Sequence, residues 1–134
     1  VVKAAKLATS VCRMHSMHDP TEGGLAAGLW ELAQASDCGL EIDAAEIDIL
    51  DEGLMLCNEF GLNPLASIAS GALLMTTAGS DAAIVQSTLE SEGISCSLIG
   101  RAIAAERPVV HWHADGNVGL LQYPQQDEIT RLFG

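Results

Sequence analysis

Met17-His18-Asp19-Pro20-Thr21-Glu22-Gly23-Gly24 runs directly into Leu25–Ser36, in which Leu25, Leu29, Leu32 and Ala33 recur on one helical face. The first eight residues read as a tight turn and the rest as the helix it feeds. Asp19 or Thr21 can cap that helix through a side-chain oxygen. With Asp19 as the cap, Pro20 falls at the first helical position, where its missing N–H costs nothing. Gly23 and Gly24 then leave the first-turn amides uncovered, so that another group can approach the backbone closely. Bare N–H groups at the positive end of a helix dipole attract anions, which makes phosphate chemistry the first functional expectation.

Helical and extended segments alternate outward from this turn. Val1–Met14 is partly periodic and reads as a short helix, and His15–Glu22 as a loop. Gly39–Ile42 reads as a strand. Asp51–Phe60 reads as a helix that turns Leu54, Met55 and Cys57 or Asn58 inward and ends at a left-handed Gly61. Asn63-Pro64 opens a turn, and Leu65–Ser70 fits a single helical turn. Ala72–Thr77 is almost wholly apolar, the pattern of a central strand covered on both faces. Ser80 is placed to cap a helix over Asp81–Ser91, and Gly93 stops it. Ile94–Ile103 is extended, with Gly100 at a bulge. Asp115-Gly116 between Arg107–His113 and Val118–Tyr123 is a hairpin signal, and Gln126–Phe133 reads as a terminal helix. The strand–helix–strand–helix–strand order, closed by the hairpin, predicts a mixed sheet with helices packed on it, an α+β or α/β sandwich.

The chain has 134 residues, a single-domain length, and 49% of them are hydrophobic, so a real core can form. Only 4% are aromatic, so that core is mainly aliphatic. Eighteen acidic residues face six lysines and arginines, for a formal net charge of −12. No basic patch can form, which argues against nucleic acid and against anionic membranes as partners. By the same argument, a polyanionic ligand needs Mg²⁺ or a basic partner surface. No signal peptide is evident, nor any apolar run long enough to span a bilayer. Cys12, Cys38, Cys57 and Cys96 are widely spaced without a CxxC pair, which fits reduced thiols in a cytoplasmic protein. Cys57 and Cys96 lie in apolar patterns and are expected in the core. The opening Val1-Val2-Lys3-Ala4 has the look of mid-protein helix, so the chain is expected to be a fragment of a longer protein.

Ordered motifs add a family resemblance. Asp19-Pro20-Thr21-x-Gly23-Gly24-Leu25-Ala26, Glu31-Leu32-Ala33-x-Ala35-Ser36, Gly39-Leu40-x-Ile42, Leu62-x-Pro64-Leu65, Gly71-x-Leu73 and Ile99-Gly100 follow one another along the chain. Across about Ala4–Ile103 the chain resembles the C-terminal domain of AIR synthase-related proteins, the PurM/HypE-like superfamily, and most of all its HypE-like branch. The resemblance implies one α+β domain over residues 1–134, a three-layer α/β/α sandwich with a mixed sheet, partly ferredoxin-like, normally preceded by an N-terminal domain that holds ATP and the metal-binding aspartates. It implies ATP and Mg²⁺ as cofactors of the full-length protein, which is expected to be a homodimer. The reaction implied there is ATP-dependent phosphoryl activation of an oxygen, which then leaves as phosphate. By position, Asp19 and Thr21 would orient a polar ligand in an interdomain cleft, the amides of Gly23 and Gly24 would face an anion, and Ser70 and Gly71 would border the cleft. Glu22 stands where relatives often carry Arg, and Ser70 where they usually carry Glu. These two departures support an alternative, a non-catalytic binding or regulatory module whose nucleotide site has decayed. The branch's namesake ends in a cysteine-bearing tail; this chain ends Thr130-Arg131-Leu132-Phe133-Gly134.

Cys12-x-x-His15-x-x-His18 carries soft and borderline ligands at a spacing that can bind Zn²⁺, although the bland reading is three polar residues on an exposed turn. His111 and His113 share one side of a strand; alternation with Trp112 reads most simply as the solvent face of a hairpin. The acidic string Glu41, Asp43, Glu46, Asp48, Asp51 and Glu52 lacks the calcium-loop pattern and reads as a solvated face. Nucleophile elbow, Walker loop and dinucleotide glycine signatures are all missing, so no residue is assigned as catalytic and the isolated chain is expected to show no turnover.

Overall fold

The computed structural model describes residues 1–133 and places two hydrophobic clusters under two separate sheets. Its elements are α1 (Val2–Val11), β1 (Met14–His18), α2 (Gly24–Ser36), β2 (Gly39–Asp43), α3 (Asp51–Phe60), β3 (Leu74–Thr77), α4 (Ala82–Ser91), β4 (Gly100–Ile103), β5 (Val109–Ala114) and β6 (Asn117–Leu120). β1 and β3 form an antiparallel pair. β4, β2, β5 and β6 form a mixed sheet in that order, with β2 and β5 parallel and the other pairings antiparallel. The α+β expectation therefore holds.

The first cluster joins Leu29, Leu32 and Ala33 of α2 to Leu40 and Ile42 of β2 and Val110 of β5. The apolar stripe read from the sequence thus lies against the four-stranded sheet, and Leu29 is only 1% exposed. The second cluster joins Ala4 and Ala8 of α1 to Val85 and Leu89 of α4, with Met14, Met17 and Met75 packed beside them. Ala4 and Ala8 are small enough to let the two helices approach closely.

Several local expectations are corrected. His15–Glu22 is not all loop: Met14–His18 is strand β1, because it pairs with β3. β3 is not a central strand, although its two faces do meet apolar neighbours. Among the described residues it pairs with β1 alone, and its four residues are half-buried. Its apolar side chains divide between the two clusters: Leu74 packs against the first, Met75 and the preceding Leu73 against the second. Only Gly100–Ile103 of the Ile94–Ile103 run forms ladder bonds. Gly100 is no bulge; it pairs in regular register with Ile42, and a side chain there would strike the Glu41 carbonyl oxygen. Ser80 does not cap α4, which starts after a 3-10 turn at Gly79–Asp81. The terminal helix is a 3-10 segment, Glu128–Leu132. Asp115 and Gly116 do carry the positive φ angles of a tight hairpin, 51° and 74°.

Cys57 and Cys96 are half-buried rather than core residues. Cys96 packs against the second cluster. Burial, helped by the charge of Glu90, pushes its thiol above the usual value. The folded state thus favours the protonated thiol; that contribution is present below the ordinary thiol pKa and is lost as pH rises through the folded one. At about pH 8 the folded chain is expected to alkylate at Cys96 with iodoacetamide roughly tenfold more slowly than the urea-unfolded chain. Equal rates, read by peptide mass spectrometry, would contradict this burial.

Candidate functional site

The turn before α2 is built by tertiary contacts. Gly23 is the residue that starts the helix; its φ of 73° is left-handed, and Gly24 follows at 62°. Neither Asp19 nor Thr21 caps α2. The Gly23 N–H donates to Asp127 Oδ2 at 2.7 Å, and the Gly24 N–H to the Thr21 carbonyl at 3.1 Å. Pro20 is not the first helical residue but a fully buried wedge under Gly28. The expectation of bare amides at Gly23 and Gly24 is therefore overturned. Both residues are buried, and a carboxylate from 104 residues downstream takes the position of the anion. Asp127 is itself 8% exposed, and its other oxygen accepts from the Ile129 N–H at 2.9 Å. Glu22, the acid nearest this helix start in the sequence, is exposed instead.

A strap formed by residues 121–132 holds this arrangement. The Leu121 carbonyl accepts from Trp30 Nε1 at 2.9 Å. Glu128 Oε2 accepts from the Asn63 N–H at 3.1 Å and from Arg131 Nη1 at 2.6 Å. The Asn63 N–H, and then Arg131, hold the Glu128 carboxyl below its ordinary value. Its contribution to the strap is thus present above the ordinary glutamate pKa and lost as pH falls through the folded one.

The two turns singled out in the sequence do meet. The Ala69 N–H donates to the Thr21 carbonyl at 3.1 Å, which sets Ser70 and Gly71 beside the Asp19–Gly24 turn. Gly71 has a φ of 104° and open space where a side chain would lie, and Ser70 is exposed. Asp19 and Thr21 are exposed on the same edge; Thr21 Oγ1 donates weakly to the Asp19 carbonyl at 3.3 Å.

Cys12, His15 and His18 do not converge. Cys12 Sγ lies 3.4 Å from Thr77 Oγ1, and His15 is exposed. His18 Nε2 sits 2.7 Å from Glu31 Oε2. No group of three His, Cys, Asp or Glu side chains among the described residues is arranged to hold a metal ion. The His18–Glu31 pair was missed from sequence, because Glu31 was read only as part of a helix motif. It borders an open cleft of ≈ 380 Å³ that also takes in His15, Ser16 and Ser36. Both side chains are partly solvated, so the pair contributes at most about 1 kcal/mol. His111 and His113 stand in register with Glu41 and Asp43 of β2, a neighbourhood that sequence distance hid.

Residues 2–113 match the family described as AIR synthase related protein, C-terminal domain. The chain belongs to that family. It is 33% identical over 122 residues to a putative hydrogenase expression/formation protein of Methanocaldococcus jannaschii, covering 90% of this chain and 36% of the relative. It is 33% identical over 93 residues to carbamoyl dehydratase HypE of Rhodobacter capsulatus, covering 68% of this chain and 27% of that protein. Among solved structures, a hydrogenase maturation protein HypE crystallised in complex with ATP superposes with a TM-score of 0.81 at 26% identity, over 91% of this chain and 39% of that one. The chain thus spans about a third of the length of these relatives. Among the described residues, no helix is long and apolar enough to cross a membrane.

Proposed function

We propose that this chain serves as the C-terminal domain of a HypE-like, ATP-dependent protein and lends the Asp19–Gly24 turn to an interdomain nucleotide cleft. The hydrogen bond from Ala69 N–H to the Thr21 carbonyl carries the reading, because it joins the two family-matched turns into one exposed edge. The ATP bound by a structural relative of the same domain type supports it. The exposed donors on this edge are hard oxygens, the Asp19 and Glu22 carboxylates and the Thr21 hydroxyl. Such a set suits Mg²⁺ more than direct phosphate contact. Between Arg13 and Arg101 the sequence has no lysine or arginine at all, so phosphate charge must be met by the metal or by another domain. Mg²⁺, when bound, neutralises charge that develops on transferring phosphoryl oxygens. In the proposed reaction ATP gives its terminal phosphoryl group to a substrate oxygen and leaves as ADP; that oxygen then departs as phosphate. The partners of the domain are its own N-terminal nucleotide domain and, in the longer protein, a second copy.

In a protein that joins this domain to such an N-terminal domain, Mg²⁺–ATP is expected to raise the thermal midpoint by several degrees, as tight ligands do. Asp19→Asn combined with Thr21→Val should reduce that gain. The 134-residue chain alone should neither gain stability nor release phosphate. ATP turnover by the chain alone, or a joined protein indifferent to Mg²⁺–ATP, would refute the proposal. A second reading, a binding module with a decayed nucleotide site, has one observation in its favour: Asp127 already sits at the Gly23 amide. An ATP-indifferent joined protein would favour it.

A further inference from the structure

Helix α3 carries an apolar half that this domain leaves open. Leu50, Leu54 and Cys57 repeat at helical spacing, and Leu56 and Phe60 form the neighbouring row. An amphipathic helix of this kind ordinarily buries that stripe, yet α3 has no buried residue. Its main packing is against the short 3-10 turn Pro64–Ala66, where Cys57 Sγ reaches Ser67 Oγ at 3.9 Å. Leu54 remains 40% exposed, Leu56 61% and Phe60 56%. Around the helix Leu56, Phe60, Cys57 and Leu54 occupy one continuous arc rather than scattered positions, which marks an interaction site.

The charge around this surface has one sign. Glu46, Asp48, Asp51, Glu52 and Glu59 lie on or just before α3, within the stretch between Arg13 and Arg101 that holds no lysine or arginine. Arg131, which donates to the Gly61 carbonyl at the C-terminal end of α3, is paired with Glu128. A second copy of this chain would bring the same acidic rim and a net charge of −12, so like charges oppose self-association here.

From the open apolar stripe and its acidic rim, we infer that α3 is the docking surface for a separate protein that presents a basic amphipathic helix. Leucine-like anchors of that partner cover Leu54, Leu56 and Phe60, and its lysines or arginines meet Glu52 and Glu59. This site is independent of the nucleotide edge and does not require it.

The test uses the full chain and a synthetic amphipathic Leu/Lys helix peptide, with a Leu/Glu peptide of the same pattern as comparison, followed by fluorescence anisotropy. The Leu/Lys peptide should bind, more weakly as salt rises, and the Leu/Glu peptide should not. Glu52→Lys with Glu59→Lys, or Leu54→Ser with Phe60→Ser, should each weaken binding on the order of tenfold. Glu90→Lys with Glu106→Lys, away from α3, should leave binding nearly unchanged. Equal weakening by that distant pair would reduce the effect to diffuse attraction and overturn the inference. So would absence of binding, or a self-association in sedimentation that the α3 substitutions abolish. Should the serine variant lose its circular dichroism, the charge-reversal variant decides, since it alters only exposed carboxylates.

Discussion

Gly24→Ala is expected to lower the stability of this domain by about 3–5 kcal/mol, the range kept for substitutions with a definite structural mechanism. Two costs combine. Gly24 sits at a φ of 62°, a left-handed conformation that costs an L-residue with a β-carbon roughly 1–2 kcal/mol. The added methyl would also press into the carbonyl oxygens of Leu65 and Ser67. Those oxygens cannot simply withdraw. The turn that holds them is fastened by Asn63, whose side chain accepts from the Leu65 N–H at 3.0 Å and whose carbonyl accepts from Ser67 Oγ at 2.8 Å. α2 must therefore tilt away from this turn, which disturbs Leu29 and the first cluster behind it. For a domain of this size the thermal midpoint should fall by roughly 10 °C or more. Circular dichroism melts provide the measurement, and a loss below about 1 kcal/mol would mean that the close seat of Gly24 is not real. Alanine at Gly53, which meets nothing within 4 Å, is the natural control.

Asp127→Ala comes next, with an expected loss of about 2–3 kcal/mol. One carboxylate serves two helix starts, the Gly23 N–H of α2 and the Ile129 N–H of the terminal 3-10 segment. Removing a capping acceptor costs about 1 kcal/mol, and leaving a buried donor unpaired adds a further penalty of roughly 1–3 kcal/mol. Asp127→Asn keeps one carbonyl oxygen and loses the charge that favours a helix N-terminus, so it should fall between the two. The alanine variant should also free the strap. Limited proteolysis should then cut within residues 121–132 sooner than in the parent chain, with Trp30 fluorescence changing as the Leu121 bond opens. A variant as stable and protease-resistant as the parent would show that Asp127 does not hold the strap.

Patterns confined to one segment were legible before any coordinates. The α2 stripe at Leu25, Leu29 and Leu32, the left-handed Gly61 and the Asp115-Gly116 hairpin each follow from spacing or backbone sterics within a few residues. The motif order from Asp19 to Gly100 was sufficient for the family. Pairings between distant segments were not legible. His15 to His18 became strand because Leu74 to Thr77 lies beside it, and nothing in that polar run announces the partner. Of the α3 residues read as inward-facing, Leu54 and Met55 are exposed and Cys57 is half-buried, since periodicity reveals a face and not what covers it. At the candidate site, the glycine pair and the approach of Ser70–Gly71 followed from motif, whereas the acceptor at Gly23 did not.

By itself, the sequence determined the α+β class, the acid-dominated surface and the position of the glycine turn ahead of the second helix. Local chemistry carries all three: side-chain periodicity, charge count and the conformational freedom of glycine. Tertiary structure alone decided which group meets the first amide of that helix. Electrostatics at a helix start asks for an anion of some kind, and only the return of the chain through 104 residues made it the Asp127 carboxylate.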